Sequence, residues 1–405
     1  MILAGGNDQI ALIKELRRYF NGDVEIILVD MSDKVRAIPF ADKFRKVSTM
    51  DKEAVLAAAK EERIDYILTA CGDQPLSTMA YVATEMGLPT YLSEREVLEL
   101  TNKRFMKEKM VKFGIPTAKH IYIDKTWNGI LPDFNYPLVV KPVDSNGSKG
   151  VKKVFAPADM EKALKEAFNY SLSGDVIIEE FKQGEELSVD LYVEGTTAKL
   201  LSVTASKKIR ENKNSFTIVQ SYYPAPGDIK EERILEICQN IVKVWDLHDT
   251  PLLVQMIQND DSYNVIEFSA RMGGGSKYYL INALSGVDIM KIYVDMVMGE
   301  KPHVEPKKQY NNAIMNYIYC YPGFYEQMIG FEELKKDGLI LDYFIYRSSH
   351  IKIEKSDTSS DRVSGFLVVG NSQQEVKNKL QIANNKLKVL DNTGKDIMRH
   401  DLFGI

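Results

Sequence analysis

What this sequence lacks narrows it first. Across 405 residues no run of about 18 apolar side chains appears, so neither a membrane span nor a membrane partner is expected. A basic excess is missing too: 52 Lys and Arg stand against 57 Asp and Glu, a net charge of −5, which argues against a nucleic-acid partner. Cysteine is scarce. Cys71, Cys238 and Cys320 are odd in number and far apart, a pattern that argues against a disulfide framework and fits a reducing cytoplasm. The five histidines show no zinc spacing with one another or with a cysteine. Met1-Ile-Leu-Ala-Gly-Gly6 is too short an apolar lead, and lacks the basic start, for a signal peptide; it reads as a first strand. Repeats and low-complexity segments are absent.

What is present is ordinary globular material, 44% hydrophobic and 27% charged, enough for roughly two to four domains at about 100–200 residues each. Over residues 1–92 short apolar runs at 24–30 and 66–70 alternate with helical stretches at 9–20 and 52–61, which predicts an α/β domain with a parallel sheet. A dinucleotide site is the tempting reading, but Gly5-Gly6-Asn7-Asp8 is not the Gly-x-Gly-x-x-Gly phosphate turn. A boundary falls near residue 93, where Ser93-Glu-Arg-Glu96 has the form of a capping box. The next helix carries Met106, Met110 and Phe113 on one stripe and stops at Gly114. Residues 93–304 then change to strands with Gly-, Asn- and Asp-rich loops. A third region, 305–405, reads as a small α+β unit, with a strand at 365–369 and a second capping box at Ser372-Gln-Gln-Glu375.

Three stretches carry chemistry. In the first, a buried strand at 138–140 leads to Lys141, held extended by Pro142. The loop Ser145-Asn146-Gly147-Ser148-Lys149-Gly150 follows, small enough for backbone amides to approach phosphate oxygens; it reads equally as a surface turn. In the second, an apolar strand runs through Glu179, Glu180, Phe181 and Lys182 to a bend before Glu186, suited to an adenine edge and a ribose or to an acidic hairpin facing water. The third is a hairpin centred on Asp261 that sets Gln255 opposite Glu267 and puts Glu267, Ser269 and Arg271 on one face. Oxygen ligands beside a cation suit magnesium shared with phosphates, although a solvated polar face remains open. Gly273-Gly-Gly275 beyond it admits a close backbone approach to a ligand.

In this order the elements resemble the ATP-grasp superfamily, from about residue 1 to 300 and more loosely beyond. The resemblance implies a Rossmann-like α/β domain preceding the ATP-grasp domain (1–92), a two-lobed α+β ATP-grasp domain (93–304) and a small C-terminal region (305–405). It also implies roles. Lys103 and Lys141 look like the two phosphate-binding lysines, and residues 145–150 like the mobile lid. Residues 179–182 look like the adenine hinge and Glu186 like the ribose carboxylate. Glu267 resembles the bridging magnesium ligand, with Gln255 and Ser269 beside it. Arg271 resembles the arginine that steadies the acyl phosphate or tetrahedral intermediate. Biotin carboxylase and many other members have glutamate where this chain has Gln255; carbamoyl-phosphate synthetase has glutamine.

The implied cofactors are ATP and Mg²⁺, with Mn²⁺ as substitute. The implied reaction makes an acyl phosphate and ADP from a carboxylate, then passes the acyl group to an amine or similar nucleophile. Lys141 and Arg271 would stand nearest the chemistry, and Lys207 and Lys208 lie where relatives place substrate-side residues. The partners expected are small molecules, an amino acid or small metabolite acid first, with a homodimer open to the chain. A bicarbonate-activating carboxylase and a non-catalytic ATP-binding protein are the competing readings.

Overall fold

The computed structural model describes residues 1–131, 133–145, 149–209, 216–260, 262–356 and 358–403. Its N-terminal region is the expected parallel α/β unit. Strands β1 (Ile2–Leu3), β2 (Ile27–Asp30) and β3 (Lys43–Lys46) lie in that order. Helix α1 (Asn7–Tyr19) buries Ile10, Leu12, Ile13 and Leu16, a helical spacing that presents one apolar stripe to the sheet. Helix α2 (Lys52–Glu62) is capped by the Asp51 carboxylate accepting from Ala54 N, and α3 (Asp73–Met86) ends on Gly87 with φ of 65°. The run at 66–70, expected as a full strand, shrinks to one parallel bridge between Leu68 and Ile2. The chain bends away almost at once, for Cys71 already has φ of 62°.

Helix α4 (Glu94–Thr101) opens on a complete capping box between Ser93 and Glu96. Helix α5 (Lys103–Lys112) follows at once, capped by Asn102. Met106 and Met110 are buried as the stripe requires, but Phe113 lies past the last turn and stays 52% exposed.

Beyond it comes a four-stranded antiparallel sheet of β4 (His120–Ile123), β5 (Leu138–Pro142), β6 (Lys152–Val154) and β7 (Val176–Glu180), ordered β4-β7-β5-β6. Helix α6 (Met160–Tyr170) covers it with Met160, Ala163 and Ala167. A larger antiparallel sheet begins with β8 (Glu185–Glu194), β9 (Thr197–Lys208) and β10 (Ile218–Tyr223). After α7 (Glu231–Trp245), the hairpin β11 (Thr250–Asn259) and β12 (Ser262–Ser269) extends it. Helices α8 (Lys277–Ser285) and α9 (Ile289–Val297) lead out of this part.

The third region supplies β13 (Asn312–Ile318), β14 (Gly323–Ile329), α10 (Phe331–Lys336), β15 (Asp342–Ile345), β16 (Ile351–Ile353), β17 (Ser364–Gly370), α11 (Gln373–Lys386) and β18 (Lys388–Asp391). It does not stand apart. Strand β13 pairs with β10, and the sheet runs β12-β11-β8-β9-β10-β13-β17-β15. Strands β16, β14 and β18 make a separate small sheet. The second predicted capping box forms by half. Ser372 accepts from Glu375 N, but the Glu375 carboxylate accepts from Asn371 N at 2.8 Å rather than from its own cap residue. The three cysteines are free thiols. Among the described residues no helix is long and apolar enough to cross a membrane.

Candidate active site

The four-stranded and eight-stranded sheets face each other across a cavity of about 980 Å³. Lys141 is the last residue but one of β5, Glu179 lies in β7, and Lys103 opens α5; all three line the cavity. Lys141 Nζ sits 2.7 Å from one Glu179 oxygen, and Lys107 Nζ, one turn after Lys103, sits 2.8 Å from the other. That second contact is poorly aligned, leaving Glu179 Oε1 buried without a directed hydrogen bond. Burial by itself would raise the Glu179 carboxyl, but the two ammonium groups outweigh it and hold it at about 2. Glu179, expected at an adenine hinge, thus bridges two buried lysines in this state. Lys107 was not singled out from sequence. Its signal was a lysine set between Met106 and Met110 on a buried helix face.

The hairpin brings Gln255 opposite Glu267, with a bulge between Gln255 and Met256. Near the turn Asn259 pairs with Ser262; Asp261 lies outside the described residues. The bulge shifts the register by one, and that shift is what makes Gln255 and Glu267 partners. Lys103 Nζ reaches Glu267 at 3.0 Å and the Ser145 carbonyl at 2.9 Å. Burial would raise Glu267 as well, yet Lys103 and Lys141 hold it below its ordinary range.

Ser269 and Arg271 converge on a residue that the sequence reading missed. Asp73, first residue of α3, accepts from Ser269 Oγ at 2.6 Å and from Arg271 Nε and Nη2, both at 2.7 Å. Asp73 is kept below its usual range because Arg271 and Ser269 overcome its burial. Arg271 Nη1 donates to the Met272 carbonyl at 2.8 Å. Of five guanidinium N–H groups, one remains on each terminal nitrogen. Ser269, expected beside the metal ions, is instead 4% exposed and spends its proton on Asp73. No local pattern links residues 73 and 269, so only tertiary structure reveals this clamp.

The remaining predicted residues divide by place. Ser145 and Lys149 line the cavity, and Gly150 has φ of 70°; Asn146, Gly147 and Ser148 lie outside the described residues. Glu180 at the end of β7, Phe181 and Lys182 in the bend after it, and Glu186 at the start of β8 line it too. Phe181 carries Lys153 Nζ 3.3 Å above its ring, and Glu186 pairs with Lys208. Lys207 and Lys208 also line the cavity. Gly184 in that bend cannot be replaced quietly: φ is 139°, and a Cβ would lie 2.0 Å from the Gln258 carbonyl oxygen.

Among the described residues no group of three or more His, Cys, Asp or Glu side chains is arranged to hold a metal. Glu267 and the Gln255 amide are oxygen donors on the cavity wall, few enough that a hard cation there needs phosphate oxygens to complete its shell. The donors present fit magnesium delivered with a nucleotide, not a metal held by protein alone.

This clasp of two antiparallel sheets around paired lysines defines a class. Residues 134–278 match the ATP-grasp domain family. That stretch of the chain is therefore an ATP-grasp domain, and the relatives it matches are named as ligases. The phosphoribosylamine–glycine ligase of Lactococcus lactis subsp. lactis is 26% identical over 341 residues, 80% of this chain and 79% of that one. Two solved structures share the fold. The L-amino acid ligase of Bacillus licheniformis has a TM-score of 0.80 at 20% identity, over 96% of this chain and 98% of its own. The biotin carboxylase domain dimer of Hydrogenobacter thermophilus 2-oxoglutarate carboxylase, in complex with MgADP, ADP and bicarbonate, has a TM-score of 0.76 at 15% identity. That match spans 99% of this chain and 92% of the other.

Proposed function

We propose that the chain activates a small carboxylic acid as an acyl phosphate at the expense of ATP and passes the acyl group to an amine. The observation that carries this reading is the pairing of Lys103 with Glu267 and of Lys141 with Glu179 around one cavity, which Arg271 also lines. Each lysine has an internal carboxylate to neutralise it, so a nucleotide's phosphates exchange partners with these groups rather than meeting bare charge.

A carboxylate oxygen attacks the γ-phosphorus and the β–γ bridging bond breaks, giving acyl phosphate and ADP. An amine then adds to the acyl carbon, phosphate departs, and an amide forms with loss of the amine proton. Lys103 and Lys141 would hold phosphate oxygens, Glu180 to Lys182 and Glu186 the adenosine, and Arg271's free N–H pair the anionic carbonyl or phosphoryl group. Magnesium, or manganese in its place, would sit between Glu267, Gln255 and the phosphates, where it spreads negative charge during transfer. We place the first substrate among amino acids and small metabolite acids, and the assembly as a homodimer, which light scattering checks directly.

ADP formation with a pool of acids and amines tests the reading, with hydroxylamine as substitute nucleophile. A hydroxamate accompanying ADP supports it. ADP formed with phosphate on a substrate hydroxyl makes this a kinase and overturns it.

A further inference from the structure

Beside Gly275 the same cavity is lined by Arg362, from the segment before β17. Its guanidinium lies 3.7 Å over the Tyr317 ring, and Nε donates to Tyr319 Oη at 3.2 Å. Nη1 rests against the glycine loop, so closely that a Cβ on Gly275 would come within 2.5 Å of it. Tyr317 Oη donates to the Gly275 carbonyl at 3.2 Å, which ties ring, loop and arginine together.

Five other cations that line the cavity have carboxylate partners: Lys103 with Glu267, Lys141 with Glu179, Arg271 with Asp73, Lys277 with Asp190, and Lys208 with Glu186. Arg362 has none within ion-pair distance among the described residues, although it is stacked and aimed. A planar guanidinium on an aromatic face, with its terminal nitrogens unclaimed, is the arrangement that takes a carboxylate or phosphate by two parallel hydrogen bonds. Asp8 also lines the cavity without an ion pair among the described residues, and it accepts from Ser276 N at 3.1 Å. Its charge opposes a simple dianion at Arg362 and suits a ligand with an ammonium group close to its anion.

We propose that Arg362, backed by Tyr317 and Gly275, anchors the non-reacting anionic group of the amine substrate, a carboxylate or phosphate, while Asp8 faces its amine. The proposal rests on the reading of this cavity as the ligase site. It makes the nucleophile a small zwitterion and assigns the third region of the chain a part in choosing it.

The test is equilibrium titration of the full chain, with and without magnesium and a non-hydrolysable ATP analogue. The probes are L-alanine, O-phosphoethanolamine and L-alaninamide, which offer an amine with a carboxylate, with a phosphate, and with neither. Saturable binding of L-alanine or O-phosphoethanolamine is expected, and the stronger of the two identifies the anionic group. L-alaninamide should bind about tenfold more weakly or worse, as expected for a lost hydrogen bond to charge. Arg362→Gln should cause a loss of the same size, and Arg362→Lys a smaller one, because the charge stays and the fork goes. Should Arg362→Gln not fold, the lysine variant still decides. The proposal is overturned if neither zwitterion binds the parent, if L-alaninamide binds equally well, or if both variants bind as the parent does. Failure of the nucleotide analogue to bind would instead remove the ligase reading, and the titrations without it still decide on Arg362.

Discussion

Glu179→Gln offers a severe test of the charge arrangement, because one carboxylate serves two buried lysines. The substitution keeps the shape and removes the charge facing Lys141 at 2.7 Å and Lys107 at 2.8 Å. Two estimates of the cost agree. Breaking a buried ion pair by removing one partner costs about 3–5 kcal/mol. A carboxyl held at about 2 rather than 4.5 corresponds to roughly 3 kcal/mol at about 1.4 kcal/mol per unit. For 405 residues, at about 2.1 cal/mol/K of unfolding entropy per residue, this lowers Tm by about 4–6 °C. The sign with pH follows. A depressed carboxyl stabilises fully above its unfolded value near 4.5, and that stability is lost as pH falls through about 2. The gap between parent and variant should therefore be wide at pH 7 and close on acidification through that window. Thermal melting of both proteins from pH 7 to pH 3 measures it. A variant melting within about 1 °C of the parent at pH 7, or a gap that widens in acid, would refute the reasoning.

Other outcomes follow from the same wall of charges. Lys141→Ala and Lys103→Ala should each weaken ATP binding while the fold persists, since Lys107 still faces Glu179 when Lys141 is gone; nucleotide titration alongside melting checks both. Glu267→Gln should cost roughly 10²-fold or more in ADP formation, whereas Gln255→Glu should keep activity and lower the magnesium needed, read from rate against magnesium concentration. Asp73→Asn should reduce kcat on the order of 10²-fold through misplacement of Arg271, with partial rescue by Asp73→Glu; loss in KM alone would count against an orienting role. Gly184→Ala should destabilise the bend after β7, for its Cβ meets the Gln258 backbone; unchanged melting would contradict that contact.

Local rules carried the sequence reading as far as local rules reach. The Ser93 box, the helix that buries Met106 and Met110, the strand that carries Lys141 near its end and the hairpin opposing Gln255 to Glu267 each depend on neighbours a few residues apart. Misreadings began where an element met the rest of the molecule. Phe113 fits the helical stripe by spacing, but the helix ends before packing can use it. The run at 66–70 is apolar enough for a strand, but a left-handed residue at 71 cuts its pairing short. Asp73 and Arg362 stayed hidden for the same reason: their roles depend on Arg271 and Tyr317, which are brought near only by folding. Lys107 was readable in principle, because a lysine inside an apolar helix face needs a buried partner.

The continuity of the large sheet has a practical consequence for anyone cutting this protein into pieces. A fragment ending near residue 304 would retain every ATP-grasp motif read from the sequence, yet it would strip β13 from β10 and leave an unsealed strand carrying Ile218, Val219 and two tyrosines. Such an edge recruits other chains. The shortened product would be expected to aggregate, so its silence in an assay would say nothing about catalysis. Expression trials, crystallisation fragments and domain-swapped chimeras should keep residues 305–403 attached, with junctions placed in surface turns such as the one around Gly195.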